Sequence, residues 1–107
     1  MNLEIRKMNE LRPEVKEFAE WMEMKLMEHD EDRSGYRGLD EEWCKQRIDE
    51  ELIEFYMALK EKNITRIYKE GADVANFIMF ICFNRKENWI EESADLLQKS
   101  GFFRGGR

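Results

Sequence analysis

Two carboxylate pairs, Glu51-x-x-Glu54 and Glu70-x-x-Asp73, repeat one spacing and are separated by fifteen residues. On a helix, residues three apart have Cβ atoms roughly 5–6 Å from one another, so each pair offers two carboxylates to one point. Two such pairs on facing antiparallel helices can converge on one or two cations. A donor set made wholly of oxygen suits Mg²⁺ or Mn²⁺ and not zinc. The second pair sits at the head of the most apolar stretch of the chain, from Ala72 to Phe83. A helix that is apolar nearly all round is a buried one. A carboxylate at its head must then be protonated, paired or cation-bound, because an isolated buried charge costs several kcal/mol. The first pair has a second reading, since glutamates at i, i+3 or i+4 also decorate solvated helix faces in a chain with 24 Asp+Glu. Di-iron bundles also use helix-borne carboxylates, but they require Glu-x-x-His, and the single histidine, His29, has Leu26 three residues before it.

The elements that must position these acids are helical. Pro13 suits a first helical turn, and Val15, Phe18, Ala19, Met22 and Leu26 follow at helical spacing to about His29. A polar, glycine-punctuated loop runs from His29 to Gly38. Asp40 is a good N-cap, with Glu41 and Glu42 where the helix dipole favours acids. The second helix carries Cys44, Ile48, Leu52, Phe55 and Leu59 on one stripe and ends near Lys62-Asn63. Arg47, Glu51, Glu54 and Ala58 form the adjoining flank, with Glu50 further round and within reach of Glu54. Thr65 can cap a third helix that runs to Arg85 or Lys86, placing Arg66, Glu70, Asp73 and Phe77 on one face with Asn76 beside it. Asn88-x-x-Glu91 reads as a capping box for a fourth helix, Trp89 to Lys99, which Gly101 stops. No segment alternates like a strand. The pattern predicts an all-α four-helix bundle, a single domain over residues 1–100 with a flexible tail over 101–107. The third helix has more apolar surface (Phe77, Ile78, Met79, Phe80, Ile81, Phe83) than three small neighbours cover, which predicts a homodimer or homotetramer built on it.

Composition narrows the partners. A formal charge of −6, from 18 Lys+Arg against 24 Asp+Glu, argues against binding nucleic acid through bulk phosphate attraction. A hydrophobic content of 42% argues against disorder of the whole chain. Cys44 and Cys82 both fall inside apolar helical patterns, lack zinc-site spacing and read as buried free thiols. The first residues contain no apolar signal core, and the run 77–83 is too short to span a bilayer, so a cytoplasmic protein without membrane contact is expected.

The string Glu50-Glu51-Leu52-Ile53-Glu54, the fifteen-residue gap, and Glu70-Gly71-Ala72-Asp73-Val74-Ala75-Asn76-Phe77 resemble the MazG-like branch of the all-α nucleoside triphosphate pyrophosphohydrolases. Glu17-Phe18-Ala19-x-x-Met22-x-x-Lys25-Leu26 and the Gly35-Tyr36 loop extend the likeness over residues 17–84. Many relatives carry a Lys-Gly-Gly-Trp-like loop where this chain has Arg33-Ser34-Gly35-Tyr36, a departure that bears on substrate identity. The resemblance implies that Glu51, Glu54, Glu70 and Asp73 bind Mg²⁺, or Mn²⁺, which engages a nucleoside triphosphate. It implies hydrolysis between the α and β phosphates to a monophosphate and pyrophosphate. A carboxylate not consumed by metal, Glu50 or Glu54, can then take the proton of the attacking water.

Three further residues are candidates for substrate contact. Lys25, at the edge of the first apolar stripe, can reach a phosphate or can snorkel with a buried stem. Arg47 is a phosphate ligand or the i, i+4 ion-pair partner of Glu51. Asn76, inside an apolar helix, needs partners and can orient a ligand carboxylate, touch substrate or bond another helix. Trp21, Trp43 and Tyr36 can stack on a base or fill the core. Gly71 costs about 1 kcal/mol inside a helix and can permit close helix approach. The competing function class is a non-catalytic helical module for dimerisation or nucleotide binding, which tolerates loss of the four acids.

Overall fold

The computed structural model describes residues 10–30 and 35–99, and these form three α-helices and no strand. The helices are α1 (Pro13–Glu28), α2 (Glu41–Glu61) and α3 (Ile64–Lys99). The expectations for residues 1–9, 31–34 and the tail 101–107 lie outside the described residues.

Each boundary has a local cause. Pro13 opens α1 with its φ already helical and its missing N–H no loss in a first turn. The Trp43 backbone N–H donates to Asp40 Oδ2 at 2.9 Å, so Asp40 caps α2 as its sequence predicts. Lys62 ends α2 in the left-handed region, at φ 58°, a conformation glycine usually supplies. The Arg66 backbone N–H donates to Asn63 Oδ1 at 3.2 Å, so Asn63 caps α3 and Thr65 lies inside it. Asparagine is at least as good a cap as threonine, and a cap at 63 lets the Ile67 N–H reach Asn63 O at 2.9 Å.

The expected third and fourth helices are one helix of 36 residues. Between Gly71 and Gly101 the sequence contains neither glycine nor proline. Without a breaker, each added residue gains a backbone hydrogen bond at little cost, so the capping-box pattern at Asn88 and Glu91 does not stop the helix. At about 1.5 Å per residue, α3 is a rod of roughly 54 Å. Beyond Glu87 it runs largely exposed, with Trp89 67% and Leu96 66% accessible.

Both shorter helices pack on α3, and their backbones nowhere approach each other closely. The core is small: Cys44, Phe77 and Phe80, with Leu26, Leu39, Ile48, Met79 and Ile81 packed against it. Trp43 meets the Phe77 ring edge-on at 5.7 Å, and Tyr36 stacks on Phe80 at 5.0 Å. Asn84 pins this loop, accepting from the Gly38 N–H at 2.6 Å and donating to Tyr36 O at 2.9 Å. The apolar run 77–83 is therefore mostly covered from within the chain, and of its large side chains Ile78, 47% exposed, is the one left most open. Cys44 is buried as expected; Cys82 is exposed, because α3 turns that face away from both neighbours. No helix among the described residues is long and apolar enough to cross a membrane.

Candidate metal centre

The two-residue turn at Lys62-Asn63 doubles the chain back, so α2 and α3 lie side by side with their acidic flanks facing. One carboxylate oxygen from each of Glu51, Glu70 and Asp73 lies within 4.8 Å of the other two, and all three residues are half-buried. Ala58 of α2 and Ala72 of α3 are both fully buried. Three carboxylates this close, held partly out of water, repel one another strongly.

Burial is the larger influence on their protonation, and mutual charge adds to it at Glu51 and Glu70. Burial pushes the Asp73 carboxyl above the usual carboxylate range, even though Lys25 pulls it the other way. Burial raises Glu51 as well, with the Asp73 charge adding to the shift and Arg47 opposing it. Burial, then Asp73 and Glu54, raise Glu70. Lys25 Nζ stands 3.6 Å from Asp73 Oδ2 and 2.9 Å from Glu28 Oε1, with its side chain only 13% exposed. Burial alone would lower the Lys25 ammonium; its bonds and charges with Glu28 and Asp73 together outweigh this and raise it.

The expected site is thus assembled in part. Glu51, Glu70 and Asp73 come together as the spacing predicts. Glu54 stands outside the triple: its carboxylate takes Arg66 Nη2 at 3.0 Å, and Arg66 also bonds Glu61. Glu54 still lies near enough to raise both Glu70 and Glu51. Glu50 points outward, 60% exposed, and shares Arg47 with Glu51, whose Oε1 accepts from Arg47 Nη2 at 2.8 Å. Arg47 also lies over the Phe77 ring, 5.5 Å from its centroid, so the structure gives it ion-pair and ring partners. Asn76 is 4% exposed; its Nδ2 donates to Met22 O at 3.0 Å, while Oδ1 has no partner. It therefore joins α3 to α1 one turn before Lys25. The three candidate stacking rings find protein partners: Trp21 on Tyr68, Trp43 on Phe77 and Tyr36 on Phe80.

Two features are not apparent in the sequence reading. Glu28 holds Lys25 from one turn along α1, a pairing visible only as an i, i+3 spacing. An open apolar groove of about 460 Å³ is lined by Phe18, Leu52, Phe55, Ile67, Tyr68 and Val74 among others. Its floor is Gly71, where an added Cβ would come 3.4 Å from Phe55 Cε1 and 3.6 Å from Phe18 Cε1. A methyl there would meet rings from both α1 and α2 at ordinary contact distance.

The donors fit a hard divalent cation. All three are carboxylate oxygens on two rigid helices, and their excess negative charge is offset only in part by Lys25 and Arg47. No family model, curated protein or solved structure matches this chain.

Proposed function

We propose that this protein is a Mg²⁺-dependent nucleoside triphosphate pyrophosphohydrolase of the MazG-like type, with Mn²⁺ an alternative ion. The observation that carries the reading is the convergence of Glu51, Glu70 and Asp73 from two facing helices, at the spacing that the family resemblance singles out. Bound there, a divalent ion supplies positive charge against the triphosphate and the departing pyrophosphate.

The chain's own residues do the rest. Glu51, Glu70 and Asp73 hold the ion, and because their uncompensated charges repel a bare triphosphate, the site selects a substrate that arrives with its cation. Glu54 is the better placed of the two candidate bases, since it adjoins the triple whereas Glu50 faces solvent. It takes the proton from the water that attacks the α-phosphorus, and the bond to the β-phosphate oxygen breaks. Lys25 from α1 and Asn76 from α3 supply polar contacts.

The chain acts as a homodimer or homotetramer in the cytoplasm, in this reading. The open groove supports the oligomer: its apolar lining and the exposed Ile53, Tyr56 and Met57 of α2 (59%, 56% and 47%) call for a cover that a second copy can supply. The same groove favours a second reading, a non-catalytic helical module that binds nucleotide or its own copy. A screen for pyrophosphate release over common and modified nucleoside triphosphates with Mg²⁺ separates the two. The enzyme releases pyrophosphate from at least one of them and Glu51→Gln does not; the module releases none.

A further inference from the structure

Lys25 is an unusual neighbour for a metal centre. Its ammonium is largely withdrawn from solvent and stands 3.6 Å from Asp73 Oδ2, inside the reach of the acidic triple. A cation donor there competes with metal for the same carboxylate. Its second partner, Glu28, lies at 2.9 Å on the same helix and is 44% exposed, so Lys25 has somewhere to go without becoming an unpaired charge. A second, independent sign of a missing ligand lies one turn beyond Asp73. There the buried Asn76 Oδ1 accepts from no donor, while the Asn76 amide holds the α1 turn that carries Lys25. A buried acceptor without a donor is costly, and the waters of a hydrated cation are donors of the kind it lacks.

We infer that Lys25 is the site's resident cation in the metal-free protein, and that it leaves Asp73 for Glu28 and the incoming phosphates when a divalent ion binds. This rests on the metal-dependent reading above. It makes two opposed statements about one side chain: Lys25 weakens the binding of metal alone, and it strengthens the binding of phosphates once metal is present. A lysine that only braces α1 against α3 does neither.

Titration calorimetry on the full chain tests it, with Mg²⁺ alone and then with inorganic tripolyphosphate at saturating Mg²⁺. Lys25→Met and Lys25→Gln should bind Mg²⁺ about tenfold more tightly than wild type, the scale of a partly buried ion pair no longer competing. Lys25→Arg keeps the charge and should stay within about threefold of wild type. At saturating Mg²⁺, Lys25→Gln should bind tripolyphosphate about tenfold more weakly. Wild type without detectable Mg²⁺ binding, beside a Lys25→Gln that binds it, also supports the exchange. If wild type binds Mg²⁺ and folded Lys25→Gln binds it equally or less well, the exchange is wrong and the metal centre stands. If neither binds Mg²⁺ at millimolar concentration, the metal centre itself is wrong and the exchange falls with it.

Discussion

Replacing Asp73 by Asn should push the metal-free and metal-bound proteins in opposite directions. In the metal-free fold Asp73 has two like charges within 4.8 Å and, as its strongest opposite charge, Lys25 at 3.6 Å. At an effective dielectric of about 20, each repulsion is at least ~3.5 kcal/mol gross and the attraction ~4.6 kcal/mol. Removing the charge relieves both repulsions and forfeits one attraction, for a gross gain of roughly 2 kcal/mol. Lys25 keeps Glu28 as a partner, so no buried charge is stranded. Screening at these partly exposed groups reduces the gain to about 1 kcal/mol, or roughly 5 °C in Tm for a domain of this size. With Mg²⁺ at about 100 times its Kd, wild type gains ~2.7 kcal/mol by mass action, which Asp73→Asn largely loses. Thermal melts in chelator and in saturating Mg²⁺ should show the order of the two proteins reversing. A metal-free Asp73→Asn that is less stable by more than about 2 kcal/mol would mean that the Lys25–Asp73 pair is structural, and would refute the reasoning.

Three other expectations follow from individual sites. Glu51, Glu70 and Asp73 all have folded pKa values above their ordinary ones, so the folded state binds more protons than the unfolded state between those values. Their contribution to stability therefore falls as pH rises through the raised carboxyl range, and the metal-free melting temperature should rise on mild acidification from neutral pH; no rise, or one undiminished in Asp73→Asn, would contradict the assignment. Lys62→Gly relieves a left-handed residue at the end of α2 and should stabilise by up to about 1 kcal/mol in urea unfolding; destabilisation would show that the Lys62 side chain matters more than its backbone. Gly71→Ala adds a methyl at the edge of contact with Phe55 and Phe18, so the helix-propensity gain of up to about 1 kcal/mol should largely survive in the same assay, and a loss of more than about 1 kcal/mol would show that the rings cannot shift.

The helical class and the first two helices were legible because their signals are local. Pro13, the Asp40 cap and the stripes of α1 and α2 each act within a few residues. The meeting of Glu51 with Glu70 and Asp73 was legible for a related reason: a two-residue turn between helices leaves α2 little choice but to fold back on α3. What the sequence hid depends on competition between distant groups. Asn88-x-x-Glu91 has the form of a cap, but a cap stops a helix only where continuing is unfavourable, and nothing around it opposes continuation. Glu54 has the spacing of a ligand, yet Arg66, one of its neighbours across the turn, takes its carboxylate. Cys82 lies in an apolar run whose uncovered face is set by where α1 and α2 dock. The groove at Gly71 is invisible for the same reason, since Leu52 and Phe55 look like core until the gap between α1 and α2 is known.

In the proposed function, Glu51, Glu70 and Asp73 serve Mg²⁺-dependent cleavage between the α and β phosphates of a nucleoside triphosphate. Phosphorus NMR of the products formed by wild type and Asp73→Asn tests it most directly. Wild type with Mg²⁺ should yield nucleoside monophosphate and pyrophosphate in equal amounts, with no diphosphate. Asp73→Asn should be slower by at least roughly 10²-fold, the range expected when a key charge-stabilising group is lost. Diphosphate with orthophosphate as products, equal rates in the two proteins, or no turnover of any triphosphate at stoichiometric protein would contradict it.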